Sequence, residues 1–226
     1  MAQIRQQQPQ LSDKAASYVR ALVISGELPP GSQIRPETIG EELGISTTPA
    51  REALQALRVE GFLELVPRKG FLVAPLTGAD IRDLFRAQAL LGGELADRAA
   101  RNGSVDEIAE LEALHHELIA AAARKDTVLL EEKNHAFHRQ INLLANARKL
   151  LWVLGLTTRY VPRMFYSSIA GWPQATAEDH TRILEAVKAG EGPAARAAME
   201  DHIMHAGELL AAHFDARQAR EQRTTA

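Results

Sequence analysis

The run LGISTTPAREAL at residues 43–54 gives the clearest indication of how the N-terminal part of this chain folds. Its glycine at 44 can end one helix. The Ser-Thr-Thr-Pro run at 46–49 can begin the next, because hydroxyl side chains cap helix N-termini and proline suits the first turn. The apolar residues of this next helix recur at helical spacing: Ala50, Ala53, Leu54 and Leu57. The stretch therefore predicts two helices joined by a tight turn, with the second ending at Gly61.

Elements on either side of this turn complete a small domain. Upstream, a helix is predicted to start at Ser12 and end at Gly26, and a shorter one begins at about Pro36. Downstream, residues 62–66 and 71–74 are β-rich runs joined by Pro67-Arg68-Lys69-Gly70, which predicts a hairpin. Three helices followed by a hairpin is the element order of a winged helix-turn-helix, which we expect over residues 11–76.

One face of the third helix carries polar side chains suited to DNA. On a helical wheel of about 100° per residue, these side chains lie opposite the apolar ones: Thr47, Thr48, Arg51 and Gln55. Such groups hydrogen-bond phosphates and base edges, and an arginine can hold guanine through two bonds. Arg68 and Lys69 at the hairpin tip could reach a phosphate or the minor groove. The same side chains also suit a solvated surface, since residues 1–76 contain eight Lys/Arg and eight Asp/Glu.

The composition of the chain excludes several classes of protein. The 226 residues are 46% hydrophobic and 24% charged, which is ordinary for a globular protein and far from disorder. Because there is no Cys, disulfides, thiolate metal sites and cysteine nucleophiles are excluded. The longest apolar run, at residues 150–156, is too short to span a bilayer, and residues 1–10 lack the apolar core of a signal peptide. We therefore expect a cytoplasmic protein with no membrane partner.

From residue 77 onward the apolar pattern is helical throughout. Periodicity and breakers predict six amphipathic helices: 79–101, 105–124, 126–146, 148–169, 174–190 and 193–216. The predicted fold class is mainly α, with an N-terminal winged helix-turn-helix followed by an all-helical bundle domain at residues 78–216. A disordered arm at residues 1–10 and a frayed tail at residues 217–226 complete the predicted organisation.

Three of the eight histidines lie on apolar helix faces: His138, His180 and His202. Asn134 precedes His138 by four residues, so both project from the same side of one helix. Three helices that aim an imidazole into a bundle core could hold zinc, nickel or a similar ion, with Asn134 completing the site. Alternatively, each histidine is a hydrogen-bonded core residue. Three other histidines are expected at the solvated surface: His115, His116 and His135.

The N-terminal sequence resembles a known family over residues 11–76. The runs that carry the resemblance are GSQI at 31–34, LGISTTPAREAL at 43–54, EGF at 60–62 and GFLV at 70–73. They resemble the GntR family of bacterial transcription regulators. The resemblance implies a dimer that places paired recognition helices on a palindromic operator, with Arg51 contacting DNA and Gly70 letting the wing backbone approach the groove. Glu37 and Thr47 stand where the family often has basic residues, and Arg35, Arg68 and Lys69 are expected to compensate.

The C-terminal sequence resembles the FCD effector domain of the FadR subfamily over residues 78–216. The run Asn134-His135-Ala136-Phe137-His138 carries most of this resemblance, together with the surroundings of His180 and His202. It implies a divalent metal, with zinc as the first expectation, beside a pocket for a small carboxylate. The ligands matched one by one are Asn134, His138, His180 and His202, with His205 as a substitute.

The residue that would bind the carboxylate in this domain does not follow from the resemblance. Gln88 and Gly92 stand where the family tends to have Arg and Glu. The alternative candidates for effector binding are three other arginines: Arg86, Arg159 and Arg163. Trp152 and Tyr160 are expected to pack in the core.

Three functional hypotheses follow from the sequence. The first is a dimeric transcription regulator, not an enzyme, whose binding to double-stranded operator DNA is controlled by a small organic acid bound near the metal. The second is a metal-dependent hydrolase or hydratase that uses the three histidines, although no acidic residue is placed as clearly as they are. The third is a DNA-binding dimer with no effector, in which the histidines are structural.

Overall fold

The computed structural model describes residues 11–160 and 172–224, and the chain divides into two compact units between Leu76 and Thr77. The first unit contains three helices: α1 (Leu11–Ser25), α2 (Pro36–Leu43) and α3 (Thr47–Val59). It also contains three strands: β1 (Gln33–Ile34), β2 (Leu63–Val66) and β3 (Gly70–Val73). The strands form one antiparallel sheet in the order β1-β3-β2. The predicted winged helix-turn-helix is confirmed.

The turn between α2 and α3 is tight because two glycines permit it. Gly44 has φ 63°, in the left-handed region that favours glycine, and closes α2. A Cβ at Gly40 would lie 2.9 Å from the carbonyl oxygen of Ile45, so only glycine lets the two segments approach this closely. Ser46 precedes α3 in an extended conformation, but its side chain makes no cap hydrogen bond. The predicted hydroxyl cap is therefore wrong for Ser46.

The strand β1 is an addition to the predicted hairpin. It pairs with β3 through Gln33 opposite Leu72 and Ile34 opposite Phe71. Two residues are too short to show an alternating pattern, so the strand has no signal in the sequence. The apolar residues of α3 that were predicted to face inward are all buried. They hold α3 against the rest of the unit and leave its opposite face exposed.

In the part of the chain that the structure describes, the second unit is a bundle of six helices. They are α4 (Gly78–Asn102), α5 (Val105–Arg124), α6 (Thr127–Leu144), α7 (Arg148–Thr157), α8 (Trp172–Lys188) and α9 (Gly192–Thr224). A 3-10 turn at Thr158–Tyr160 follows α7. The core is built mainly by apolar residues of α4, α5, α6, α8 and α9. The predicted fold class, mainly α with a helical bundle after the winged domain, is confirmed.

The helices α4 and α9 pack closely because each contributes a glycine where they meet. A Cβ at Gly207 of α9 would lie 2.6 Å from Cβ of Phe85 on α4, and Phe85 is buried. A Cβ at Gly92 of α4 would lie 2.5 Å from Cδ1 of Ile203 on α9. Larger side chains at these positions would force the two helices apart. Their close contact fixes the position of α9 against α4.

Three features of the bundle differ from the predictions. The helix α7 ends at Thr157 rather than at residue 169, and residues 161–171 lie outside the described residues. The helix α9 continues to Thr224, because the run after Phe214 contains good helix formers and no Gly or Pro. Trp152 is 63% exposed, so its predicted place in the core is wrong, whereas Tyr160 is half-buried.

Within the described residues, no helix is long and apolar enough to cross a membrane.

Candidate metal centre and DNA-binding surface

Three imidazoles from three different helices meet in the second unit. His138 lies on α6, His180 on α8 and His202 on α9. The Nε2 atom of His180 lies 3.2 Å from that of His138 and 3.3 Å from that of His202. The Nε2 atoms of His202 and His138 are 3.2 Å apart. The three nitrogens therefore form a nearly equilateral triangle, although 42 and 22 residues separate the histidines in the sequence.

The size of this triangle fits a metal ion. Histidine nitrogens bind zinc at about 2.1 Å, which places two of them about 3.0 Å apart at a right angle and about 3.4 Å apart at the tetrahedral angle. The observed separations of 3.2 and 3.3 Å lie between these two values. His138, His180 and His202 are the group of side chains among the described residues that could hold an ion.

Burial keeps two of these imidazoles in the form that a metal requires. His180 and His202 are buried, and His138 is half-buried as a residue. Burial, followed by the neighbouring histidines, holds the pKa of His138 and of His180 well below the usual 6.5. Both side chains are thus neutral at pH 7, and a neutral imidazole has a nitrogen lone pair that can bind a cation. The ring of Phe137 stacks on His180 with centroids 4.4 Å apart and fixes its orientation.

Asn134 offers a fourth ligand atom. It lies one turn before His138 on α6 and is buried. Its Oδ1 atom is inaccessible to solvent and has no hydrogen-bond partner among the described residues. A buried carbonyl oxygen without a partner is costly, by roughly 1–3 kcal/mol, unless something absent from the polypeptide binds it. A cation would satisfy this oxygen, so the amide is a candidate fourth ligand beside the three histidines.

Asp179 joins the site as a residue that the sequence analysis missed. Its Oδ2 atom lies 3.3 Å from Nδ1 of His202, and its Oδ1 atom accepts a hydrogen bond of 2.5 Å from Arg182. Burial alone would raise its pKa, but the hydrogen bonds from His202 and Arg182 outweigh burial and lower the pKa to about 2. The feature of the sequence that could have indicated Asp179 is its place directly before His180.

One further histidine, His115, is placed differently from its prediction. His115 is buried rather than solvated, and its Nε2 atom lies 3.0 Å from Oγ1 of Thr181 on α8. Burial, and then His116, lowers the pKa of His115. The prediction failed because His115 falls on the inner face of α5 with Leu111 and Leu118. His116 and His135 are exposed, as predicted. His205 is also exposed and lies outside the triangle, with its Nδ1 atom 3.7 Å from Oδ2 of Asp179.

Two of the three candidate effector residues lie at the surface. Arg86 on α4 and Arg159 in the turn after α7 are both exposed, and Arg163 falls outside the described residues. Gln88 stands where the family resemblance predicts an arginine. It is buried and donates a hydrogen bond from Nε2 to the carbonyl oxygen of Thr157. This side chain therefore holds the end of α7 against α4.

The predicted DNA contacts all lie on the exposed surface of the first unit. Four of them lie on α3: Thr47, Thr48, Arg51 and Gln55. Arg35 directly precedes α2 and is exposed, and Arg68 and Lys69 form the exposed turn between β2 and β3. Gly70 has φ 80°, which favours glycine, and a Cβ there would meet nothing within 4 Å. The wing backbone is thus open to a ligand at this position.

An acidic neighbour lies beside the arginine of α3. The guanidinium of Arg51 and Oε1 of Glu37 on α2 are 3.7 Å apart, and both side chains are well exposed. Glu37 therefore places a negative charge beside the residue expected to contact DNA. If Arg51 contacts DNA as predicted, this carboxylate would compete with the nucleic acid for it and would repel nearby phosphates.

We expect the substitution Glu37→Gln to strengthen DNA binding by about two- to five-fold, since an exposed ion pair contributes little and the lost charge repels phosphate. The check is a titration of operator DNA at one fixed salt concentration. Glu52→Gln, which removes an exposed carboxylate of α3 with no described ion pair, is the matched control for general charge. Equal or weaker binding by the Glu37→Gln protein would show that Glu37 does not compete for Arg51.

Each of the two units matches a known protein family. A family profile described as "Bacterial regulatory proteins, gntR family" matches residues 11–73, and one described as "FCD domain" matches residues 83–205. A probable D-xylose utilization operon transcriptional repressor of Paenarthrobacter nicotinovorans is 29% identical over 195 residues, covering 83% of this chain and 85% of that protein.

Other relatives agree over most of the chain. The HTH-type transcriptional regulator LutR of Bacillus subtilis is 27% identical over 217 residues, covering 86% of this chain and 98% of that protein. Among solved structures, E. coli McbR/YncC matches with a TM-score of 0.69 and 23% identity, covering 92% of this chain and all of that one. The solved structure therefore shares the fold of both units.

Proposed function

Since this chain belongs to the GntR family of bacterial transcription regulators and carries an FCD domain, we propose that a small carboxylate bound near a metal in that domain controls its binding to an operator. The observation that carries the proposal is the triangle of three Nε2 atoms 3.2 to 3.3 Å apart. The partnerless amide oxygen of Asn134 on the same bundle supports it. In this account the metal senses a ligand and does not catalyse a reaction.

The proposed metal ligands are Asn134, His138, His180 and His202. All four are neutral, which suits zinc first and nickel or another transition metal second. A bound divalent ion would supply positive charge that no ligand cancels, and this charge would attract a carboxylate. In this proposal the four side chains would hold the ion, and an acidic group of the effector would bind beside it.

The proposed effector is a small organic acid that binds next to the metal. Its carboxylate would take the ion as its main partner, because no Lys or Arg side chain is buried among the described residues. Arg86, Arg159 and Arg163 remain the proposed candidates for a second anionic group of the effector. An acid with two carboxylates would use both kinds of partner, so di- and tricarboxylates belong in the screen beside hydroxy acids.

The proposed DNA-binding form is a homodimer in which two winged units bind the halves of a palindromic operator. Thr47, Thr48, Arg51 and Gln55 of each copy would enter the major groove from α3. Arg35, Arg68, Lys69 and Gly70 would contact the backbone or the neighbouring groove. The effector shifts the operator affinity only if it binds two arrangements of the dimer with different strength.

The unfolding temperature of the intact protein tests the ligand part of this proposal. We would measure it against a panel of small carboxylates, with zinc present and again after chelation. A ligand that binds the folded state must raise the midpoint by mass action. We expect one acid to raise it only in the presence of metal. A panel that includes the natural acid but moves no midpoint, with zinc itself inert, would contradict the proposal.

The substitution Asn134→Asp is expected to tighten zinc binding by about ten-fold or more, because a carboxylate adds a negative charge to a neutral ligand set. Without metal, the same substitution buries a carboxyl group one turn before His138 on α6, so the metal-free protein should unfold at a lower temperature than the wild type. Competition with a chromophoric chelator measures the affinity. Unchanged zinc affinity would show that residue 134 is not a ligand.

A further inference from the structure

A buried carboxylate contacts the far side of one of the three imidazoles. Asp179 on α8 is 8% exposed, and its Oδ2 atom lies 3.3 Å from Nδ1 of His202 on α9. The Nε2 atom of the same ring belongs to the triangle, 3.3 Å from Nε2 of His180 and 3.2 Å from Nε2 of His138. Asp179 therefore touches His202 at the nitrogen that faces away from the proposed ion.

The position of this carboxylate selects one form of the ring. A neutral imidazole has one N–H group and one nitrogen with a lone pair. A carboxylate can only accept a hydrogen bond, so its presence at Nδ1 places the proton there and leaves the lone pair on Nε2. A histidine that donates to a carboxylate in this way is a stronger metal ligand, and its ring is held in orientation.

The carboxylate is itself held in place. Arg182, one turn further along α8, donates to Oδ1 at 2.5 Å, which leaves Oδ2 for His202. The Nδ1 atom of His205 lies 3.7 Å from the same Oδ2, beyond the range of a good hydrogen bond. The arrangement differs from that of His180, whose Nδ1 atom is buried without a hydrogen-bond partner among the described residues. His202, unlike His180, therefore has a carboxylate at its Nδ1 atom.

We propose that Asp179 is a positioning residue that fixes the tautomer and orientation of His202 and thereby raises the affinity of the site for its metal. This inference rests on the proposed metal site and adds to it a residue that binds no ion directly. It also means that α8 serves the site twice, through His180 as a ligand and through Asp179 as the partner of a ligand on α9.

Two measurements on the full-length protein test this inference. The first is the imidazole ¹⁵N spectrum of the metal-free protein, in which a protonated Nδ1 and a lone pair on Nε2 give distinct shifts for His202. The second is zinc affinity by competition with a chromophoric chelator, with the cobalt(II) absorption spectrum as a report on ligand geometry. Asp179→Asn is compared with Glu178→Gln, which removes an exposed carboxylate one residue away on the same helix.

We expect His202 of the wild type to carry its proton on Nδ1, and Asp179→Asn to lower zinc affinity by about 10- to 100-fold. Glu178→Gln should leave both readouts unchanged. Circular dichroism verifies that the variants are folded, and the ¹⁵N arm needs only the wild type. A proton on Nε2 of His202 in the wild type, or equal zinc affinity in Asp179→Asn, would overturn the inference. Wild-type protein that binds no zinc would instead refute the proposed metal site, so the two failures are distinct.

Discussion

The substitution Arg51→Ala is expected to abolish specific operator binding while leaving the dimer and the unfolding temperature unchanged. Arg51 is exposed on α3, and its described partner is Glu37 at 3.7 Å, so its removal disturbs no core contact. A two-bond contact between arginine and guanine contributes about 1–3 kcal/mol of discrimination, and a dimer makes it twice. The expected loss of specific affinity is therefore about 30-fold to 10⁴-fold.

The measurement requires an operator selected from random duplexes with the wild-type protein. Fluorescence anisotropy then gives the affinity of each variant for that duplex and for a scrambled one. Arg58→Ala is the matched control, because Arg58 is an exposed arginine in the last turn of the same helix. The base-reading end of such a helix is its N-terminal end, so the control should retain most of the specificity. Full operator affinity in Arg51→Ala would refute the role of α3 as the recognition helix.

The substitution His138→Ala is expected to remove the stabilisation that zinc gives to the wild type. At a free zinc concentration 100 times the dissociation constant, binding adds about 2.7 kcal/mol to the free energy of unfolding. For a chain of this length, that raises the unfolding temperature by about 5–10 °C. With one of the three histidines absent, we expect the difference between zinc-loaded and chelated protein to vanish.

The readout is this difference rather than the unfolding temperature itself, so the packing lost with the imidazole cancels. His135→Ala serves as the matched control, since His135 lies on the same helix as His138 and is exposed. It should show the full wild-type difference. If His138→Ala and the wild type respond equally to zinc, the ion binds elsewhere and the buried histidines are structural.

The winged unit was largely predictable because its signals are local. The glycine at 44 and the apolar spacing of residues 50–57 depend on neighbours within a few turns of one chain segment. The strand β1 was missed because two residues carry no periodicity, and its formation depends on pairing with β3 about 40 residues later. The ion pair of Glu37 with Arg51 also forms across elements, where spacing gives no information.

The metal centre was predictable only in part. The apolar faces of α6, α8 and α9 marked three histidines, but their convergence follows from how three helices pack, and only the family resemblance indicated it. Asp179 was missed because a polar residue on an amphipathic helix is expected to face solvent. The same expectation failed for His115, whose burial against Phe137 and Thr181 is a tertiary effect. In each case the deciding contact joins two helices.

The proposal that a carboxylate bound near the metal controls operator binding is tested by the operator affinity itself. We would measure that affinity by anisotropy with the acid found in the thermal screen, first with zinc-loaded protein and then after chelation. We expect a change in operator affinity of about 5- to 150-fold on adding the acid. We also expect this change to disappear after chelation and in His138→Ala. An operator affinity that the acid leaves unchanged, or changes equally without metal, would refute control by a metal-bound carboxylate.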